Sequence, residues 1–427
     1  MKKINLNTIN ETIYYEKLNN GLDIYLYPKK DIHNNYVTFT TKFGSIYNEF
    51  VPIDKDKMIK VPYGVAHFLE HKVFAQKEDP QPEVFFAKSG TICNAYTTFK
   101  NTSYLFSGPD NLNENIIYLL DYVQSPYFTE DNVNSEKGII SQEIHMCDDD
   151  IGDVMYEHIR KNIFHNNNFK DSIIGTTKDI KSITKEILYT CYNTFYHPSN
   201  MFLVICGNFN PEEIINLIKE NQDKKKFNDY KEIKTKKIKE PDSVVKEKEI
   251  IHKKTEIPKV SYNIKIRNNT KLSTRIFNLY LFIIFSILFD DSSDFDYECK
   301  KENIITNTLY FNLLNCDTHM LVSLINETNN YKELLNRIKK RLNKIVINET
   351  DLERKKKVLI SNELFSFDNI EVVNDMLIDS IIFNNKVEDN IIKIIEDLNI
   401  KELKELINNL DLSNTATVII KNKENKE

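Results

Sequence analysis

The chain has 427 residues, 41% of them hydrophobic and 28% charged, a balance that can bury a large interior and excludes wholesale disorder. That length is too great for one ordinary core and suits two domains of roughly 200 residues each. A net charge of −6 creates no strong field for nucleic acid or a membrane surface, so neither is expected as a partner.

The first residues, M-K-K-I-N-L-N-T-I-N-E-T, carry lysines with no apolar run behind them, so no secretory signal is expected and a cytoplasmic location follows as an expectation. In residues 21–45 the runs G-L-D-I-Y-L-Y-P and Y-V-T-F-T-T-K-F alternate apolar and polar positions, which predicts an antiparallel strand pair. Residues 46–62 predict a loop, and residues 63–74, Y-G-V-A-H-F-L-E-H-K-V-F, a helix. On that helix His67 and His71 stand i and i+4, so both imidazoles leave one face and can share a metal ion. Glu70 sits beside them. Two imidazoles and one further ligand leave a metal's fourth position for water, and an adjacent carboxylate can take that water's proton. H-x-x-E-H is the inverse of the zinc-peptidase pattern H-E-x-x-H. The same spacing also suits a buried amphipathic helix with two structural histidines.

Residues 83–88 predict a short helix ending at Gly90, and residues 91–99 and 102–107 two strands joined at Lys100 and Asn101. A helix follows at 112–123. Residues 129–164 predict one long helix with Glu130 and Asp131 in its first turn, and Glu136 and Glu143 two turns apart on one face. A helix at 182–195 and an apolar strand at 201–207 complete an α+β domain, with helices packed on one side of a mixed or antiparallel sheet.

Residues 222–240 are rich in lysine, with Glu and Asp interleaved, and predict a solvated linker, dividing the chain into domains 1–221 and 241–427. The second half repeats the order loosely. Strands are expected at 244–251, 260–266, near 306–313, at 320–325 and 416–420, with helices at 276–289, 331–346 and 351–367. The apolar stretch 276–289 is too short to cross a bilayer and reads as a core helix. The 6 cysteines lie far apart with no C-x-x-C, which suggests buried thiols rather than a thiolate zinc knuckle or a disulfide framework.

With these elements in place, the chain resembles the M16 metallopeptidases, the group of pitrilysin, insulin-degrading enzyme and mitochondrial processing peptidase. The resemblance rests on G-V-A-H-F-L-E-H (64–71), G-T-I-C-N-A-Y (90–96) with Thr97, Thr98, Thr102 and Tyr104, I-G-T-T-K-D-I (174–180) and Y-H-P-S-N-M-F-L (196–203). Within the family it is most similar to a bacterial subgroup called YfmH-like, or elongation factor P 5-aminopentanol modification-associated proteins. The resemblance implies two homologous LuxS/MPP-like α+β halves, of which only the first carries the metal. It implies Zn2+ as cofactor, held by His67, His71 and a downstream Glu that matches Glu143, with Glu70 as general base and Glu136 steadying a ligand from behind. Asp148, Asp149 and Asp150 are competing carboxylates on the same stretch. The strand with Asn94 and Ala95 is expected to pair with an extended substrate, although Asn94 read alone is more readily a turn or bulge residue in an ordinary sheet.

The function implied is hydrolysis of peptides or unfolded polypeptides in a chamber between the two halves, with a second M16 chain as a candidate partner in a hetero- or homodimer. The alternative is a non-catalytic M16-fold subunit or assembly factor of a heteromeric complex linked to elongation factor P modification. Two departures bear on the choice. Many members bring an Arg and a Tyr from the second half toward the substrate; here residues 290–309 carry lysines and Thr306 instead, with Tyr297 and Tyr310 nearby. A glycine-rich substrate loop found in some relatives is also absent.

Overall fold

A computed structural model describes residues 1–6 and 8–423. In chain order the elements begin with β1 (Lys2–Leu6), β2 (Glu11–Lys17), β3 (Asp23–Pro28), β4 (Asn35–Thr41) and the two-residue strands β5 (Glu49–Phe50) and β6 (Ile59–Lys60). Next come α1 (Val65–Val73), α2 (Pro82–Ala87), the hairpin β7 (Ile92–Thr97) and β8 (Thr102–Gly108), α3 (Leu112–Val123), α4 (Glu130–Asp149) and α5 (Ile151–Ile163). They are followed by α6 (Thr177–Ser182), α7 (Lys185–Phe195), β9 (Met201–Gly207) and α8 (Pro211–Asp223). The second half runs β10 (Lys248–His252), β11 (Lys259–Arg267), α9 (Thr274–Phe289), α10 (Asp294–Lys301), β12 (Tyr310–Cys316) and β13 (His319–Glu327). It ends with α11 (Tyr331–Leu342), α12 (Glu349–Ser366), α13 (Ile370–Asn384), α14 (Ile391–Asp397), α15 (Ile400–Asn409) and β14 (Thr415–Lys421).

The chain forms two compact units of mixed α+β structure, and each draws a segment from the other half of the sequence. The first comprises Met1–His145, Ser172–Lys237 and Leu364–Asn390; the second takes Met146–Asp171, Ile238–Glu363 and the chain from Ile391 onward. These units therefore do not follow the contiguous division at residues 222–240.

In the first unit seven strands pair in the order β1-β2-β3-β9-β4-β8-β7. Every residue of β9 is buried, as a run of seven small and apolar residues requires of a central strand covered on both faces. It inserts between β3, which it joins in parallel, and β4, which it joins antiparallel, so the expected direct pairing of β3 with β4 does not form. Alternation marks a strand but not its neighbour. On one face α1, α3 and α7 bury Phe39, Tyr104, Phe106 and Leu203 against Phe68, Leu119 and Leu188. On the other, α13 covers Tyr25, Tyr27, Phe202 and Val204 with Ile370, Val373, Leu377 and Ile381. Strand β7 is left at the edge.

In the second unit five strands pair as β10-β14-β11-β13-β12. The apolar helix α9 packs Tyr280, Ile284 and Leu288 into its core, which is the reading its length predicts. Residues 129–164 are not one helix. Asp150 leaves the helical region (φ −72°, ψ 123°) and its side chain caps α5 by accepting from Asp153 N, so α4 as far as His145 stays with the first unit and α5 packs in the second, where Lys265 Nζ donates to Ile163 O. The linker is more tied down than its charge suggests. Val51 N donates to Lys234 O and Lys236 N to Glu49 O, both at 2.9 Å, while Glu240 is buried. Its carboxylate pairs with Lys265 Nζ at 2.5 Å and accepts from the amides of His165, Asn166 and Asn167.

Candidate metal centre

The helix carrying the histidines begins at a contact only glycine allows. Gly64 sits at φ 79°, and a Cβ there would lie 2.4 Å from Ile174 O; Gly175, at φ 72°, would bring a Cβ within 2.6 Å of Tyr63 O. Two segments that are distant in sequence thus pass backbone to backbone and set where α1 starts. From there Val65, Phe68, Leu69 and Val73 bury themselves in the core, which leaves His67, Glu70 and His71 on the remaining face, with His67 only 7% exposed.

The two imidazole rings lie 4.6 Å apart, centre to centre. Across from them, on α4, one oxygen of Glu143 is 3.5 Å from His67 Nε2 and the other 3.7 Å from His71 Nε2. Two donors each about 2.1 Å from a tetrahedral metal are separated by roughly 3.4 Å, so these three side chains already stand at ligand spacing. The donor atoms of His67, Glu70 and His71 also lie within 4.8 Å of one another, so Glu70 could complete a triad by distance alone. Its carboxylate, however, is held on the β7 side, where Oε2 accepts a 2.6 Å hydrogen bond from Thr97 Oγ1, whereas Glu143 meets both ring nitrogens. Two imidazoles and a carboxylate are the donor set that suits a divalent zinc ion.

Behind the pair, Glu136 bridges two groups: Oε1 lies 3.0 Å from His71 Nδ1 and Oε2 3.0 Å from Lys72 Nζ. Burial alone would lower the pKa of His71, but the Glu136 hydrogen bond and the surrounding carboxylates raise it overall. Glu136 itself is held below the usual carboxylate range, because His71 and Lys72 outweigh its desolvation. The Glu143 carboxyl is lowered chiefly by His67.

Comparison with known proteins places this geometry. Residues 60–177 match the family described as "Insulinase (Peptidase family M16)", and residues 182–359 match "Peptidase M16 inactive domain". Over 295 residues, 69% of either chain, the sequence is 44% identical to the uncharacterized zinc protease YmfH of Bacillus subtilis. The chain belongs to the M16 family. An uncharacterized zinc protease of Rickettsia bellii is 29% identical over 48% of each chain. The crystal structure of an M16-like peptidase from Alicyclobacillus acidocaldarius superposes with a TM-score of 0.91 at 29% identity, covering 96% of this chain and 98% of that one.

Against the family pattern, the fold brings His67, Glu70, His71, Glu136 and Glu143 together. Asn94 and Ala95 lie on edge strand β7, but their side chains part: Ala95 packs on the core face with α1, and Asn94 lies on the opposite face, its Oδ1 accepting from Ala95 N. Of the competing acids, Asp150 is occupied as the α5 cap. Two residues escaped the sequence reading. Lys72 is 4% exposed and neutralises Glu136; its only sequence signal is a lysine on the apolar side of an otherwise buried helix. Thr97 holds Glu70, and its place in N-A-Y-T was legible only as part of a family motif.

Proposed function

We propose that this M16 chain is a zinc-dependent metalloendopeptidase in which His67, His71 and Glu143 hold the metal, Glu70 is the general base and β7 receives the substrate. The observation that carries the reading is the placement of one Glu143 oxygen opposite each Nε2. When bound there, zinc supplies a Lewis acid that polarises a peptide carbonyl and makes water acidic near neutral pH. The chain's own groups do the rest. Glu136 accepts the Nδ1 proton of His71, which fixes the tautomer that leaves the Nε2 lone pair facing Glu143. Thr97 anchors Oε2 of Glu70, leaving Oε1 to hold a proton and deliver it to the amine nitrogen of the departing product. The outer side of β7 offers main-chain donors and acceptors to an extended peptide, giving affinity with little demand on its sequence.

Glu70→Gln tests this directly. The variant is expected to retain an equivalent of zinc by elemental analysis and to lose cleavage of unstructured peptides by at least 100-fold, a loss within the range for a general base. A second reading, a non-catalytic M16 subunit or assembly factor acting with a partner chain, is favoured by one observation: in residues 290–309, lysines and Thr306 stand where the family resemblance leads one to expect an Arg and a Tyr. Equal background cleavage by wild type and Glu70→Gln, with a partner chain present or absent, would select it.

A further inference from the structure

The inward side of α1 carries a charge where its pattern asks for an apolar residue. Counting from Val65, the positions i+3, i+4 and i+7 that helical periodicity turns toward the core are Phe68, Leu69 and Lys72, and each is buried, Lys72 with 4% of its surface exposed. An ammonium placed there gives up its water and, among the described residues, gains one acceptor in return, Glu136 Oε2 at 3.0 Å. Stability does not account for the choice, because replacing a buried ion pair by well-packed apolar groups is often neutral or favourable.

What the pair does fix is the carboxylate that α4 sends toward α1. Glu136 Oε1 lies 3.0 Å from His71 Nδ1 while Oε2 meets Lys72 Nζ, so neighbouring residues of α1 take one oxygen each. A single hydrogen bond would let the group swing about the bonded oxygen; bonds to both oxygens fix its plane. The two histidines differ in how much they need such a support. His67, with 9% of its side chain exposed, is wedged by its neighbours, whereas His71 has 26% exposed and less packing to orient it. The looser ring is the one given a carboxylate, and that carboxylate is the one given a lysine.

We propose that Lys72 is a positioning residue of the metal centre: by holding Oε2 of Glu136 it keeps Oε1 on His71 Nδ1, and so keeps that imidazole in one tautomer and one orientation, with Nε2 toward Glu143. Among the described residues its ammonium forms no ion pair with Glu143 or Glu70, so it acts through Glu136. A cation acting through its field alone would have the opposite effect. Removing such a charge makes the site more negative and tightens its hold on a divalent ion, whereas removing the support of a ligand loosens it. The sign of the change in affinity separates the two.

The inference deepens the zinc reading, and its affinity arm rests on that reading; a second arm needs neither metal nor cleavage. Wild type, Lys72→Met, Glu136→Gln and the double variant are compared metal-free at alkaline pH, where the ring is neutral, by long-range proton–nitrogen NMR correlation of the imidazoles. Each is then titrated with zinc against a chromophoric chelator, and its melting temperature is recorded. Wild type is expected to show His71 as the Nδ1–H tautomer alone. Lys72→Met should show a mixture of tautomers and bind zinc about tenfold more weakly. The double variant should bind zinc no more weakly than Glu136→Gln, because Lys72 then has no carboxylate to hold. A single tautomer with unchanged zinc affinity in Lys72→Met overturns the proposal even if the melting temperature falls, since the lysine would then serve the fold alone. Tighter zinc binding overturns it in favour of a field effect, and additive losses in the double variant overturn the route through Glu136. If wild type takes up no zinc, the metal reading fails and the tautomers alone decide the role of Lys72. If Lys72→Met does not fold, Lys72→Gln replaces it: its side chain is one atom shorter than lysine, falls short of Oε2 and should give the same mixture.

Discussion

What separates the two imidazoles of α1 is the fate of the nitrogen facing away from Glu143. His71 Nδ1 is tied to Glu136, whereas His67 Nδ1 is buried with no hydrogen-bond partner among the described residues, and that ring is held by packing and by the contact of its Nε2 with Glu143. Glu136→Gln is therefore expected to weaken metal binding about 10–100-fold, measured by competition with a chromophoric chelator, without removing a ligand. Unchanged affinity would mean that packing orients both rings. Glu143→Gln, by contrast, should leave the purified protein well below one equivalent of zinc; a full equivalent would assign the third ligand to Glu70, the other carboxylate within reach. At Gly64 the left-handed backbone and the 2.4 Å approach of Ile174 O act together, so Gly64→Ala should destabilise the first unit by about 3 kcal/mol or more, read as a lowered melting temperature. The two histidines and Glu70 were legible from spacing because they share one helix. Glu136 and Glu143 came only through family resemblance, because a carboxylate on a distant helix has no local signature.

At the scale of elements, the divided helix carries the clearest consequence. Its helical periodicity continues through Asp150, and the only local mark of the break is the D-I-G-D signal of an N-cap, Asp150 accepting from Asp153 N at 2.9 Å. That break frees α5 to dock on the second sheet, where His158 and Asn162 reach Glu249 of β10 at 2.8 and 3.0 Å and Lys246 adds a third contact at 2.6 Å. Burial would raise the Glu249 pKa, but these three hydrogen bonds bring it down to about 2. Since the folded value lies below the unfolded value of 4.5, the unfolded chain binds more protons between the two. The contribution is thus fully present above pH 4.5 and disappears as the pH falls toward 2. Glu249→Gln should cost on the order of 2 kcal/mol near neutrality, with the difference from wild type shrinking below pH 4.5 in pH-dependent denaturant melts. A constant difference across pH would trace the loss to packing.

At the scale of the whole molecule, neither sheet is completed by its own half of the chain. Without α13, the face carrying Tyr25, Tyr27, Phe202 and Val204 is open, and each large apolar side chain left bare costs about 1.5–3 kcal/mol at most. A fragment ending at residue 237 should therefore bind a hydrophobic dye and aggregate, and addition of residues 364–390 as a separate peptide should suppress both, measured by dye fluorescence and light scattering. A soluble, dye-silent fragment would show that α13 is dispensable. Periodicity by itself determined which stretches are strands and helices across most of the chain, because apolar spacing is a property of neighbouring residues. The same local logic placed two imidazoles and a carboxylate on one turn of α1. Only the tertiary structure decided that β9 separates β3 from β4, that α5 and α13 each complete the sheet built by the other half, and that Thr97, Lys72 and Glu143 meet around that turn. Those are contacts between residues far apart in sequence, set by which apolar faces must cover one another, and no short-range pattern encodes them.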